Sequence, residues 1–462
     1  MTDALTPQHA VERALAASGA DACVALATVT HTANVRWANN TLTTNGVTHS
    51  TDLTVVSIVG GREPRAASLS RSGVSAADID DLVAASQRAA ADSPPAEDAA
   101  ELLSMPAAGD WDDPAGETDV ATLGPLAAGL AASFEQARSR GEGRFGYAEH
   151  AVTTTYLASS TGLRLRDVQR DGRLEITGRS GDGSRSAWAG TRAARAEDFD
   201  VAELERDIAQ RLDWSRRRVE LDAGRYETIL PPSAVADLIL DAYWSMGALD
   251  AHEGSTAYSR AGGGTRVGEQ LTDKPLTLRS DPAMAGQECT PFVVAGASSR
   301  LSSVFDNGLV LQPVSWIDGG RLNALLQTRH SAAVTGLPVT PFIDNLALEV
   351  AGGAGAATDL MADTRRGLLL TCLWYIREVD PQTMLLTGLT RDGVFLVEDG
   401  EVVGAATNFR FNESPVGMLK RITGAGASVD ALAREFGDYF TRTRMPALRI
   451  DGFNMSSVSR AS

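Results

Sequence analysis

Apolar residues return at helical spacing over residues 234–246. Val235, Leu238, Ile239 and Ala242 fall at i, i+3, i+4 and i+7, which predicts a helix with one face in a core. The apolar run 227–230 before it predicts a short strand. Pro231 and Pro232 end that strand, and Ser233 is placed to cap the helix. The stretch 226–258 therefore reads as a strand that launches a helix into a core, a common place for catalytic side chains. Here the inward positions carry none. The only His–Glu pair, His252–Glu253, follows the helix beside Gly254.

The pattern before this stretch mixes both periods. A first helix opens at Thr6 and Pro7 and ends near Gly19, and residues 22–30 form an apolar strand. Residues 31–46 alternate, with Val35, Trp37 and Leu42 among polar neighbours, and Asn45–Gly46 predicts a hairpin turn. Another strand is expected over 52–60. Ser75 opens a helix whose early aspartates suit its N-terminal dipole. Residues 93–118 have little periodicity and read as an exposed connection. A long Ala-rich helix is predicted over 120–141, antiparallel strands over 144–190, and a charged helix over 203–218.

The second half reads mostly as strands: 276–281, 291–297, 306–316, 346–351, and one strongly apolar strand over 367–378. Residues 385–389, 393–398 and 401–411 form a meander with a tight turn at Asp399–Gly400. Short helices are expected over 415–422 and 429–440, then a last strand. At 462 residues the chain is too long for one ordinary core. The expected fold class is α+β with two domains. An N-terminal α/β domain with an antiparallel sheet covers 1–222, and a largely β C-terminal domain covers 223–462.

Charge narrows the partners. The formal net charge is −17, which disfavours a broad basic surface for nucleic acid or an anionic membrane. Lys274 and Lys420 are the only lysines, so the positive charge is nearly all arginine. Three cysteines without CxxC spacing point to a reducing compartment. The start has no signal-peptide core and no run of about 18 apolar residues occurs, so no membrane span is expected and the cytoplasm is the default.

Candidate chemistry is sparse. A zinc hydrolase needs typically three protein ligands and an open position, with a Glu as base. His252–Glu253 lacks a second His one turn on, and His9, His31, His49, His150 and His330 are scattered. Ser298 lacks the GxSxG elbow. Cys23, Cys289 and Cys372 have no basic neighbour in sequence to activate them and read as buried structural thiols. The run 262–264 lacks phosphate-loop spacing. Glu378, Asp380 and Asp392 sit near a strand turn, where carboxylates cap more often than they catalyse. Arg36, Asn39 and Asn40 flank Trp37. Arg391, Asn408 and Arg410 occupy later strand contexts. These six either hold an extended backbone or satisfy turns and interdomain contacts.

Three segments carry a resemblance. They are VRWANNTLTTNG, the run from GLLLTCLWYIREVD to FNESPVGMLKRI, and the ending MPALRIDGFNMSSVS. In their order and spacing the chain resembles the TldD/TldE (PmbA-type) family of cytosolic metalloproteases and their partner subunits, over nearly its whole length. The resemblance implies that a catalytic subunit would carry His-Glu-x-x-x-His near residues 240–245, completed by a Cys in the glycine-led strand. Here 240–245 reads LDAYWS, with Asp241 its only group expected to be charged. The matching strand position is Leu370, and Cys372 lies two residues on, on the same face. No zinc ligand transfers, so the chain is similar to the TldE branch. The resemblance then implies no cofactor in this chain and zinc in a TldD-type partner. It also implies a peptide or unfolded-protein substrate, and a cleft or subunit contact involving Arg36, Asn39, Asn40, Arg391, Asn408 and Arg410. The alternatives are a homodimeric peptide-binding scaffold and an independent hydrolase using Ser298 or Cys372.

Overall fold

The computed structural model describes residues 5–105 and 107–459. Alternating residues build a first sheet of six antiparallel strands. Ala22–Ala38, one of its two central strands, pairs on one side with Thr41–Val59. Arg65–Ser72 flanks the second of these. Glu142–Ser159, Arg164–Ser180 and Ser186–Arg192 continue the sheet from the first. One face of the central strand buries Cys23, Ala25 and Ala27 under the helices Pro7–Ala17 and Ala76–Asp92. Further along that face, Val35 and Trp37 lie under Leu126–Ser139 and Val201–Trp214. The other face sends Val24 and Leu26 against Phe292, Val304 and Phe305 of the second half.

The central hairpin turns at Asn39–Asn40, both with positive φ (48° and 61°), and not at Asn45–Gly46. Asn45 and Gly46 lie inside the second strand, opposite Val35 and Asn34. Two consecutive left-handed residues make the turn that matches strand twist, and asparagine tolerates that conformation.

A second sheet of fourteen strands fills the C-terminal half. Its hub is the last strand, Thr443–Val458, which pairs with Gly224–Leu230, Leu346–Val350, Phe409–Glu413 and Ile422–Ala431. The helix Pro232–Trp244 packs into the largest apolar core, with Leu230, Trp316, Leu348, Leu370 and Leu448. Mixed α+β architecture is thus the observed fold class. Among the described residues, no helix is long and apolar enough to cross a membrane.

Several expected elements differ. Residues 367–378 are two strands, Arg366–Leu370 and Leu373–Asp380, which pair with different partners. An apolar run does not reveal that change of partner. Residues 429–431 end the strand Ile422–Ala431, and 432–440 form turns instead of a helix. The strand expected at 306–316 begins only at Val314; before it, the Asn307 side chain closes a loop on Ala295, accepting its N–H at 2.7 Å and donating to its carbonyl at 2.9 Å. Residues 291–297 share that loop, with one isolated bridge, Phe292 to Val310. The helix expected at 120–141 is a short 3-10 turn, Val120–Leu123, then Leu126–Ser139 after Pro125. Pro232 takes the first helical position, where its missing N–H costs nothing, so Ser233 lies inside the helix and donates to Leu432 O at 2.6 Å.

One ion cluster ties helix to sheet in the first half. Arg144 is fully buried and donates to Glu205 (2.9 Å) and Glu142 (3.0 Å). Ser133 also donates to Glu205 at 2.7 Å. Removing the cation leaves buried Glu205 without a counterion, while Glu142 keeps Arg140 at 3.2 Å. Arg144→Met is expected to lower unfolding free energy by about 3–5 kcal/mol, read from denaturant midpoints, with partial recovery in Arg144→Met/Glu205→Met.

Candidate functional site

The helix Pro232–Trp244 is where a metal motif would be carried. Leu240 and Tyr243 are wholly buried. The Tyr243 hydroxyl donates to Ile343 O (2.9 Å) and accepts from Ile343 N (3.0 Å). Its ring packs against Trp316, Phe342 and Phe440. Leu370 is also fully buried. Among the described residues, no three His, Cys, Asp or Glu side chains meet in an arrangement for a metal ion. Of the positions that would ligate zinc, Leu240 and Leu370 are buried apolar groups and Ser245 is a half-buried hydroxyl 3.5 Å from Glu378 Oε2, and the residues present do not fit the metal.

Two carboxyls do sit on this helix. Asp237 is fully buried and accepts the Glu435 backbone N–H at 2.8 Å, while its second oxygen has no partner. Burial holds its pKa well above the ordinary carboxylate range. Asp241, one turn on, is pushed up to about 7, first by burial and then by Glu378 and Glu435, against the opposing pull of Arg377. Arg377 itself pairs with Glu435 at 3.6 Å.

The remaining candidate nucleophiles are quiet. Cys372 is buried beside Trp188 and Leu432, and burial raises its thiol pKa. Burial pushes Cys289 up to about 12 and also raises Cys23. Ser298 donates to Asp98 at 2.6 Å, with no histidine in the pair. Asp380 caps its turn through Gln382 N (3.1 Å) and Thr383 Oγ1 (2.6 Å). Glu253 pairs with Arg300, and His150 bonds Thr118 at 2.8 Å.

The six polar candidates divide between places. Arg391 and Asn408 line one cleft of about 810 Å³, between the Arg164–Ser180 and Ser186–Arg192 strands of the first sheet and residues 391–408 of the second. Trp188 and Trp374 stand in its walls. Arg410 lies on a neighbouring strand, exposed, and reaches Thr387 Oγ1 at 3.3 Å. Arg36 sits over the Tyr147 ring at 4.6 Å in the first sheet. Asn39 and Asn40 form the hairpin tip. The Asn40 side chain is buried there, donating to Glu142 O (2.8 Å) and accepting from Arg144 N (2.7 Å). Asn40 also borders a separate apolar groove of about 400 Å³ with Leu42, Leu130 and Phe134.

Sequence reasoning passed over Arg434, Trp374 and Trp188. The Arg434 guanidinium lies 3.9 Å from the Trp374 ring centroid and 5.4 Å from that of Trp188. Arg434 fell in a segment read as helix, and Trp374 in one read as a continuous apolar strand, so no local signal joined them.

Comparison with known proteins accounts for the architecture. Residues 223–457 match the PmbA/TldA metallopeptidase C-terminal domain. The chain belongs to the PmbA/TldD family. Its fold superposes on TldE from Thermococcus kodakarensis (TM-score 0.72, 14% identity, covering 96% of this chain and 98% of that one). It also superposes on a candidate modulator of DNA gyrase from Bacteroides thetaiotaomicron VPI-5482 (0.74, 15%, 98% and 98%). A similar candidate modulator from Thermotoga maritima MSB8 gives 0.71 and 14%, covering 94% and 96%. No curated protein matches the chain. Within this PmbA/TldD chain, the buried helix carries carboxyls of raised pKa in place of ligands.

That chemistry has a pH signature. A carboxyl whose folded pKa is raised binds its proton more tightly when folded. Its contribution is complete below the unfolded value, about 4, and is lost as pH rises through about 7. Asp241→Asn removes the loss. The variant is expected to match the parent Tm at pH 4 and to exceed it at pH 8 by roughly 2 °C, measured by calorimetry across that range.

Proposed function

We propose that this chain is the non-catalytic, TldE-like subunit of a heteromeric zinc peptidase of the cytoplasm, acting on peptides or unfolded proteins. A TldD-type partner supplies the zinc and the general base. This chain supplies part of the wall of the substrate cleft, with Arg391 and Asn408 facing it and Arg410 on the strand beside it. Arg36, Asn39 and Asn40 are suited to subunit contact at two places: Arg36 against Tyr147 on one face of the first sheet, and the hairpin tip beside the apolar groove on the other.

One observation carries the reading. The helix expected to hold the ligands is kept in place and packed shut, with Leu240 and Tyr243 fully buried. Family membership then leaves a role for shape and partnership. The kinship in fold with TldE from Thermococcus kodakarensis is consistent with that role.

A second reading is a stand-alone homodimeric peptide-binding protein. It is favoured by residues 41–50, a strand edge that pairs on one side only and carries no acid, arginine or lysine. Such an edge lacks the charges that usually block strand addition.

Co-expression with a TldD-type chain tests both. A stable heteromer with zinc held by the partner and chelator-sensitive peptide cleavage is expected, with no cleavage by this chain alone. Zinc-dependent cleavage by this chain alone would sink the proposal. A homodimer that ignores the TldD-type chain would select the second reading.

A further inference from the structure

The strand Leu373–Asp380 is hydrogen-bonded on one side only, to Leu385–Thr390. Tyr375, Arg377, Glu378 and Val379 along it are exposed. Its N-terminal end meets the 810 Å³ cleft at Trp374, and Arg391 immediately follows the partner strand. Two guanidinium groups lie against the Trp374 ring, Arg434 at 3.9 Å and Arg391 at 5.4 Å from its centroid.

Neither cation is neutralised in the way most arginines of this chain are. Among the described residues, Arg434 forms no ion pair, and the Nε of Arg391 comes only within 3.8 Å of its sequence neighbour Asp392. The other oxygen of Asp392 already accepts the Ser186 hydroxyl. Glu435 is engaged by Arg377, and Asp237 holds the Glu435 N–H. Three buried donors have no acceptor here: Trp374 Nε1, Arg391 Nε and Arg434 Nε. Buried donors without partners mark places where an acceptor belongs.

We propose that Trp374, Arg391 and Arg434 bind the C-terminal carboxylate of an extended peptide laid antiparallel on the open edge of Leu373–Asp380. Guanidinium groups are strong carboxylate donors, and the indole offers one N–H more together with an apolar wall for the last side chain. Charge also sets the direction. An antiparallel peptide on this edge ends at Trp374, so its carboxylate meets the two cations. A parallel peptide would bring its ammonium group there and be repelled. The kink at Tyr375 (φ 51°) and the register shift between Trp374 and Arg377 limit pairing to a few residues beyond the end. Recognition therefore centres on the terminus and reads little sequence. The inference rests on the reading that this chain handles peptides.

The test uses the full chain alone and follows tryptophan fluorescence and calorimetry. The probes are one N-acetylated alanine–valine hexapeptide as free acid and as C-terminal amide, and a C-terminal amide with an internal glutamate. The free acid is expected to bind about tenfold more tightly than either amide, as for a charge-assisted contact. Arg391→Gln and Arg434→Gln are each expected to erase most of that difference between acid and amide. Trp374→Phe, which keeps a ring and loses the donor, is expected to weaken acid binding about threefold. Equal binding of acid and amide overturns the proposal and leaves the peptide reading standing. Equal binding of the internal-glutamate amide and the acid overturns the terminal assignment. Absence of all peptide binding to this chain overturns the proposal, and its absence also from the complex with a TldD-type chain overturns both. The acid–amide comparison needs no variant, so it decides even where a substitution impairs folding.

Discussion

A single carboxyl organises the region between the two halves. Asp237 lies wholly inside the protein on the helix Pro232–Trp244 and takes the backbone N–H of Glu435. That bond holds segment 432–440 against the helix without regular structure of its own. The segment in turn sets Arg434 on Trp374 and directs Asp438 to Arg173 across the junction. Burial raises the pKa of this carboxyl well above the ordinary range, since an ionised group without a counterion is expensive there. The helix has kept its depth in the core while its side chains serve as packing and as anchor.

The two sheets are joined by charge as much as by apolar contact. Arg173 pairs with Asp438, Arg192 donates to Gly286 O, and Arg442 lies 3.9 Å from Asp171. Thr290 donates to Asp167 at 2.8 Å. Arginine suits such crossings because its planar fork donates in several directions at once. The near absence of lysine thus has a structural counterpart in this junction. Burial raises the Asp344 carboxyl to about 6, with Arg442 opposing the rise.

Much of this was legible in the chain. Period-two alternation found the strands of the first sheet, and the stripe Val235–Leu238–Ile239–Ala242 found the buried helix. That residues 240–245 read LDAYWS, without histidine, is a fact of the sequence alone. What failed were decisions that depend on partners far away. Asn45–Gly46 is a strong turn pair, yet the register was fixed by Asn40 bonding to Glu142 and Arg144, over a hundred residues on. Val429 and Ala431 pair with the last strand, so a helical pattern lost to tertiary pairing. The grouping of Arg391 with Arg434 around Trp374 left no mark in spacing, because three separate elements bring it together. Arg36, Asn39 and Asn40 resembled Arg391 and Asn408 in residue type alone, and the fold sets them apart.

The placement of Asn45–Gly46 also bears on how the molecule ages. An asparagine before glycine cyclises when the glycine amide is free to swing onto the side chain, and the product carries a new carboxylate. In a hairpin tip that motion is easy. Here both residues are held in the ladder opposite Val35 and Asn34. Of the chain's two Asn–Gly bonds, this one is therefore splinted by the sheet. The uncharged edge on which it lies keeps its neutrality for as long as that strand stays paired.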